Sequence, residues 1–224
     1  MYKLKDFLYL NKYEILLVGL IQHLFFGVLF SPDLSAANQF IWIFNIVILG
    51  FSTIGIFIQQ GKRKNQISNI ILFLVVIITL GIPYNSENLF FLITVNLLYI
   101  LFFLFILWEV LKFLISPSYI NKDVISAAAC GYFLLIEISV FVMQTHFYQN
   151  PNSYIGINTT TKYASVVDFV YFSCITFSSI GFGDITPNSQ QTKLFTSLLG
   201  IIGQFYSVVL VGILISKFSA HQKE

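Results

Sequence analysis

The residues with the most distinctive chemistry form a short polar run between two long apolar segments. The run covers residues 176–184 and reads Thr-Phe-Ser-Ser-Ile-Gly-Phe-Gly-Asp. Stripping water from a cation at membrane depth requires rings of backbone carbonyls, which residues in ordinary conformations cannot all turn to one axis. Glycine takes positive φ without a Cβ clash, so Gly181 and Gly183 permit that arrangement. The run therefore predicts a filter for a weakly hydrated monovalent cation, with oxygen ligands from the carbonyls of Ser179, Ile180, Gly181 and Phe182 and from the Ser179 hydroxyl.

The same residues resemble the signature of the potassium channel family, Thr-Val-Gly-Tyr-Gly followed by Asp. The matching positions hold Ser179, Ile180, Gly181, Phe182, Gly183 and Asp184. Two departures matter: Ser179 replaces the usual Thr, and Phe182 replaces the Tyr whose hydroxyl helps to brace the filter in many members. The Gly-Phe-Gly version also occurs in two-pore-domain potassium channels and in some six-helix channels. The resemblance implies a potassium-selective filter and leaves its stability open.

The composition places the chain in a membrane. Of its 224 residues, 57% are hydrophobic and only 10% are charged, which is more apolar surface than a soluble domain could bury. We therefore expect an all-α integral membrane protein. The net charge of +2 and the absence of a basic patch give no reason to expect a nucleic-acid partner. We expect no catalytic group and no cofactor beyond the permeating K+, because the histidines lie far apart in sequence at His23, His146 and His221.

Four apolar runs precede the pore region and predict helices over residues 13–30, 40–58, 67–82 and 88–115. The first run could be a signal peptide, but its length favours a retained helix. Voltage-sensing helices carry arginine at every third position, whereas the fourth run carries only Glu109 and Lys112, spaced to pair. Residues 1–120 therefore resemble a voltage-sensor domain without gating charges, and strong voltage gating is not expected.

Residues 121–224 have the layout of a pore domain. An outer helix is expected over residues 125–144, with Glu137 inside it, and a polar, exposed outer loop over residues 145–164. Ser165 and Asp168 have the spacing of a capping box, which predicts a pore helix from residue 166 to about 178. Such a half-membrane helix would point its negative end at a crossing cation. In the family pattern an aromatic donor on this helix holds the Asp after the filter, which implies a brace from Tyr171 to Asp184.

The last apolar run predicts an inner helix over residues 192–217. Gly203 lies where the inner helices of potassium channels commonly have a hinge glycine, although close helix packing would explain a glycine equally well. If the register follows the family without gaps, the residues facing a water-filled cavity would be Gln204, Ser207 and Val211.

The distribution of charge predicts the topology. With the amino terminus inside and six spanning helices plus a re-entrant pore helix, all basic residues except Lys162 and Lys193 fall on the cytoplasmic side. Both termini would then be cytoplasmic in a multi-pass protein of the plasma membrane. The chain has one filter segment, so four chains must surround one pore as a homotetramer in the lipid bilayer.

Three functions are compatible with these features. The first is a potassium-selective channel that is passive, not strongly voltage-gated and not an enzyme. The second is a weakly selective monovalent cation channel, which the replacements at Ser179 and Phe182 would permit. The third, from another class, is a proton-coupled transporter with a relay of His23, Glu109 and Glu137. The repeated halves typical of transporters are not seen in the sequence.

Overall fold

The computed structural model describes residues 2–26, 35–57, 66, 69–71, 73–77, 81, 85, 88–115, 122–160 and 162–221. Its seven long helices are α1 Tyr2–Leu10, α2 Lys12–Phe26, α3 Ser35–Phe57, α4 Leu89–Ile115, α5 Lys122–Gln149, α6 Lys162–Phe177 and α7 Gln190–His221. A 3-10 turn at Pro151–Ser153 leads into strand β1, Tyr154–Ile155, which pairs antiparallel with β2, Thr186–Pro187. In this two-residue ladder Tyr154 lies opposite Pro187, and Ile155 opposite Thr186.

Three of these helices are long and apolar enough to cross a membrane within the described residues: α4, α5 and the Gln190–Leu210 part of α7. Shorter apolar helices cover Phe44–Phe57 in α3 and Ala164–Phe177 in α6. The chain is thus an all-α, multi-pass membrane protein. The count of six spans stays a prediction, since parts of the predicted third helix lie outside the described residues, whereas residues 69–71 and 73–77 are helical.

The first apolar segment begins at Lys12, one residue before its predicted start, and a separate helix, α1, precedes it; its predicted end at residue 30 lies outside the described residues. Two other predicted boundaries are wrong, those of the outer helix and of the pore helix. The outer helix α5 begins at Lys122 and ends at Gln149, so it takes up part of the expected linker and of the expected outer loop. Helix α6 begins before Ser165, so the predicted capping box is wrong. The carboxylate of Asp168 instead accepts the backbone N–H of Asn158 at 2.5 Å.

Polar caps fix the starts of two helices. The Asn88 side chain accepts the backbone N–H of Phe91 at 3.2 Å where α4 begins. Ser189 and Thr192 form a reciprocal pair at the start of α7: the Ser189 hydroxyl accepts the Thr192 N–H at 3.1 Å, and the Thr192 hydroxyl accepts the Ser189 N–H at 3.2 Å. Each bond satisfies a backbone donor that the helix itself leaves unpaired. The second cap sets where α7 leaves the filter segment.

Helix α5 packs against an apolar core on each of two sides. One face contributes Ala127, Cys130, Leu134 and Phe141 to a front core shared with α2, α3 and α4. The other face contributes Ile136, Val140, Met143 and Phe147 to a pore core shared with α6, α7 and Leu24 of α2. The first set is spaced by three, four and seven residues and the second by four, three and four, as expected for two sides of one helix. The proposed division into residues 1–120 and 121–224 stays a prediction. Among the described residues, α5 of the second part packs on α2 and α4 of the first.

Candidate selectivity filter

The filter segment is attached to the carboxyl end of α6 by backbone hydrogen bonds. The Ile175 carbonyl accepts both the Ile180 N–H, at 2.9 Å, and the Gly181 N–H, at 3.2 Å. One residue earlier, the Ser179 N–H donates to the Thr176 carbonyl at 3.1 Å. These three N–H groups therefore point back at α6. Their attachment holds the start of the segment against the carboxyl end of the helix, which carries the partial negative charge of the helix dipole.

Backbone conformation alternates along the segment. Positive φ occurs at Ser179, +59°, at Gly181, +54°, and at Gly183, +81°. Among the described residues, Ser179 is the one non-glycine with positive φ. When every second residue takes the left-handed conformation, successive peptide groups turn their polar atoms to the same side. The glycine positions were predictable from the sequence, but the left-handed Ser179 was missed, because serine has no strong preference that reveals it.

The segment is open to its surroundings in a single chain. The side chains of Ile180 and Phe182 are 57% and 70% exposed. At Gly181 and Gly183 no described atom lies within 4 Å of where a Cβ would stand. Among the described residues, the backbone hydrogen bonds of residues 179–181 run to α6, and the side chains of Ile180 and Phe182 are left open to ions or further chains.

The residue after the filter is held by a side chain of α6. The Tyr171 hydroxyl donates to the Asp184 carboxylate at 2.7 Å. This bond favours the ionised acid and lowers the pKa of Asp184 below its ordinary value. The contact is thus present at neutral pH and would be lost only as the pH falls through that lowered pKa. The two residues implied by the family pattern are therefore in contact, and their action as a brace stays a proposal.

The outer loop is tied to the filter exit, which the sequence did not indicate. Strand β1 pairs with β2, and the Ser153 carbonyl accepts both the Asn188 N–H, at 2.7 Å, and the Thr192 hydroxyl, at 2.8 Å. Gly156 has a φ of +90°, and a Cβ there would lie 2.2 Å from the Asp184 carbonyl oxygen. A glycine after an apolar pair was the one signal in the sequence for this close approach.

Two of the four predicted inner-helix residues, Gly203 and Gln204, lie beside the filter base. Gly203 is buried, and a Cβ on it would lie 2.9 Å from the Phe177 Cα and carbonyl oxygen, so this glycine permits close packing of α7 on the end of α6. Gln204 accepts the Ser179 hydroxyl at 3.2 Å. The Ser207 hydroxyl donates to the Gly203 carbonyl within α7 at 2.9 Å. Val211 is helical, and its side chain lies outside those described.

Comparison with known proteins identifies the family. Residues 129–220 match a family described as ion channel, a range that runs from α5 through the filter into α7. The potassium channel protein kcv of Paramecium bursaria Chlorella virus 1 is 35% identical over 77 residues, which make up 34% of this chain and 80% of kcv. This chain belongs to the potassium channel family.

Plant members of the potassium channel family match as well. Two-pore potassium channel 3 of Arabidopsis thaliana is 32% identical over 98 residues, which are 43% of this chain and 21% of that protein. Two-pore potassium channel 5 of the same plant is 32% identical over 99 residues, or 44% of this chain and 22% of that protein. The chain thus spans about a fifth of the length of these relatives. No solved structure gave a significant match.

In this potassium channel family member, the ionisable residues proposed for a proton relay fall into two groups. His23 on α2 and Glu137 on α5 are in contact, with Nδ1 and Oε1 2.7 Å apart. Glu109 pairs instead with Lys112 at 3.5 Å. Phe103, which packs against His23, precedes Glu109 on α4 by six residues, roughly 9 Å along a helix axis. This separation does not favour a continuous relay of the three.

Proposed function

We propose that the chain forms a potassium-selective channel through which K+ crosses a membrane passively. The observation that carries the proposal is the filter backbone: alternating positive φ at Ser179, Gly181 and Gly183, with adjacent N–H groups bonded back to α6. Carbonyl oxygens released to the other side are neutral ligands that can replace the hydration shell of K+. The similarity to kcv and to the plant two-pore potassium channels supports the same ion.

The proposed assembly is a homotetramer. One filter segment supplies one side of a carbonyl ring, so four chains are needed to close it. Helix α7 supports this assembly with an apolar strip that is exposed in the single chain, formed by Leu194, Leu198, Ile201, Phe205 and Val208. Residues spaced alternately by four and three form a continuous seam on one helix side. Neighbouring subunits would cover this seam together with Ile180 and Phe182.

The remaining helices are assigned by the same proposal. Residues 121–224 would form the pore, with the carboxyl end of α6 directing its negative pole at the ion. Residues 1–120 would form a front domain without gating charges, so that conduction depends weakly on voltage. The Glu109–Lys112 pair, 3.5 Å apart on α4, supports this view because its two charges cancel. The protein would lie in the plasma membrane with both termini in the cytoplasm.

Ion flux through purified protein in liposomes tests the proposal, with the reversal potential measured in opposed K+ and Na+ gradients. We expect the wild-type reversal potential near the K+ equilibrium value. Gly181→Ala should abolish this selectivity, because a Cβ in the left-handed conformation costs about 1–2 kcal/mol and disturbs the carbonyl that binds the ion. Gly200→Ala is the matched control, since no described atom lies within 4 Å of its added Cβ, and it should retain wild-type selectivity.

The other outcomes separate the competing functions. Equal permeability to Na+ in the wild type would support a weakly selective cation channel. A flux that requires a proton gradient would contradict a channel of either kind.

A further inference from the structure

We propose that Gln204 is a positioning residue for the innermost cation site of the filter. Its side-chain carbonyl accepts the hydrogen of the Ser179 hydroxyl, and so leaves the hydroxyl oxygen with its lone pairs free for the cation. The inference rests on the proposed function, since it assigns a role within the filter. It adds a side chain from α7 to a site otherwise built from residues 179–183.

The packing of α7 places Gln204 where this contact is possible. Gly203 lies against the Phe177 backbone, where even a Cβ would come within 2.9 Å of it. The next residue, Gln204, therefore reaches the filter base, and its Oε1 lies 3.2 Å from the Ser179 Oγ. The two residues are 25 positions apart in the chain, so their contact is a product of the fold and not of local sequence.

The chemistry of a hydroxyl ligand explains why the contact matters. A serine hydroxyl has one hydrogen to donate and two lone pairs to offer. A cation is bound only when the hydrogen points away from it, so an acceptor on the far side of the oxygen favours the binding orientation. The carbonyl of a neutral amide supplies that acceptor without adding charge to the pore.

The identity of residue 179 makes an external acceptor more useful. Threonine, which is β-branched, is restricted at χ1 by its own methyl group, whereas serine rotates more freely. Ser179 therefore has less intrinsic control over its hydroxyl than the threonine usual in the signature. Gln204 supplies this control from α7.

The test is a double-mutant cycle in liposomes, read by the K+/Na+ permeability ratio and the single-channel K+ conductance. Gln204→Leu keeps the approximate size of the side chain but removes the acceptor. We expect the permeability ratio to fall about fivefold, the change that loss of one neutral hydrogen bond produces. Gln204→Glu retains an acceptor but adds charge, so it is read by the permeability ratio alone, which should stay within about twofold of wild type, a smaller change than loss of that bond. A merely structural role would reduce the number of active channels and leave both readouts unchanged.

Two further backgrounds show whether Gln204 acts through Ser179. In Ser179→Ala the hydroxyl is gone, so adding Gln204→Leu should change the ratio no further. In Ser179→Thr the intrinsic restriction returns, so adding Gln204→Leu should have less effect than in the wild type. If Gln204→Leu does not assemble, Gln204→Met replaces it in the same cycle.

Three results would overturn the inference. The first is a Gln204→Leu channel with wild-type ratio and conductance, and the second is full additivity with Ser179→Ala. The third is a wild-type protein without K+ selectivity, which would overturn the proposed function as well. The first two leave the proposed function intact, so the failures are distinguishable.

Discussion

Two carboxylates of this chain are held in opposite ways. Glu137 lies in helix α5, where it is 1% exposed, and its partner His23 comes from α2, which is 114 positions away in sequence. Asp184 follows the filter, is exposed, and is bonded to Tyr171 on the adjacent α6. The two contacts have the same length, 2.7 Å. Their surroundings differ, and the surroundings determine what each contact contributes.

Because it is largely buried, the His23–Glu137 contact contributes mainly to the stability of the fold. The Glu137 side chain is 1% exposed and the His23 side chain 13%, so removal of one partner leaves a largely buried polar group unsatisfied. At Asp184 water competes for the same carboxylate, and the net contribution of the bond to folding is small. That bond instead restrains the shape of a segment whose geometry carries the proposed function. The comparison predicts that the first contact affects unfolding and the second affects filter behaviour.

Breaking the His23–Glu137 contact should cause the largest loss of unfolding free energy. Glu137→Leu leaves the His23 ring without its hydrogen-bond partner and should lower the free energy of unfolding by about 3 kcal/mol. The double variant His23→Leu with Glu137→Leu should recover most of that loss, because two apolar side chains leave nothing unsatisfied. Equilibrium unfolding in detergent micelles measures both. Equal losses in the single and double variants would show that packing, and not the polar contact, is responsible.

Filling the space around Gly156 at the filter exit should cause the next largest loss of unfolding free energy. Gly156→Ala places a methyl group 2.2 Å from the Asp184 carbonyl at a φ of +90°, so the β1–β2 ladder or the filter exit must shift. We expect a loss of about 2 kcal/mol in unfolding free energy, together with altered ion selectivity. The control is Gly200→Ala, a helical glycine with open space around it. Thermal unfolding and reversal potentials are measured for both variants. A Gly156→Ala protein with wild-type stability and selectivity would contradict the prediction.

Removal of the Tyr171 hydroxyl should have the smallest effect on folding but a visible one on conduction. Tyr171→Phe loses one hydrogen bond, about 1 kcal/mol at most in an exposed site, and we expect its filter to become non-conducting several-fold faster during sustained K+ current. Tyr206→Phe is the control, because it removes a hydroxyl bonded at 2.8 Å to the Ala128 carbonyl between α7 and α5. It should affect unfolding and leave the rate of current loss unchanged. Similar rates of current loss in Tyr171→Phe and Tyr206→Phe would contradict the prediction that the contact at Asp184 acts on the filter.

Features that depend on local chemistry were predictable from the sequence. Apolar runs of spanning length predicted α4 and α5, and the glycine spacing predicted positive φ at Gly181 and Gly183. The Glu109–Lys112 pair followed from helical spacing. In each case one segment contains all the information that is needed.

Features that depend on tertiary contacts were not predictable. The capping box at Ser165 was wrong: α6 begins at Lys162, and the Asp168 carboxylate accepts the N–H of Asn158 from the outer loop. The β1–β2 ladder is two residues long, too short for any periodic pattern. His23 and Glu137 each stood out as a polar residue in an apolar run. Their contact could not be predicted, because it depends on how α2 packs against α5. Ser179 took a glycine-like conformation that its residue type does not reveal.

The packing of α5 against two cores sets conditions for shortening the protein. A chain cut between α4 and α5 would retain the outer helix, the filter and the inner helix, but it would lack α2 and with it His23. The uncovered side of α5 would then face lipid, with Glu137 on it. A carboxylate in the hydrocarbon costs ~3 kcal/mol by insertion measurements. An isolated pore would therefore require an apolar residue at position 137. Glu137, which pairs with His23 in the full chain, would be the first residue to replace in a shortened protein.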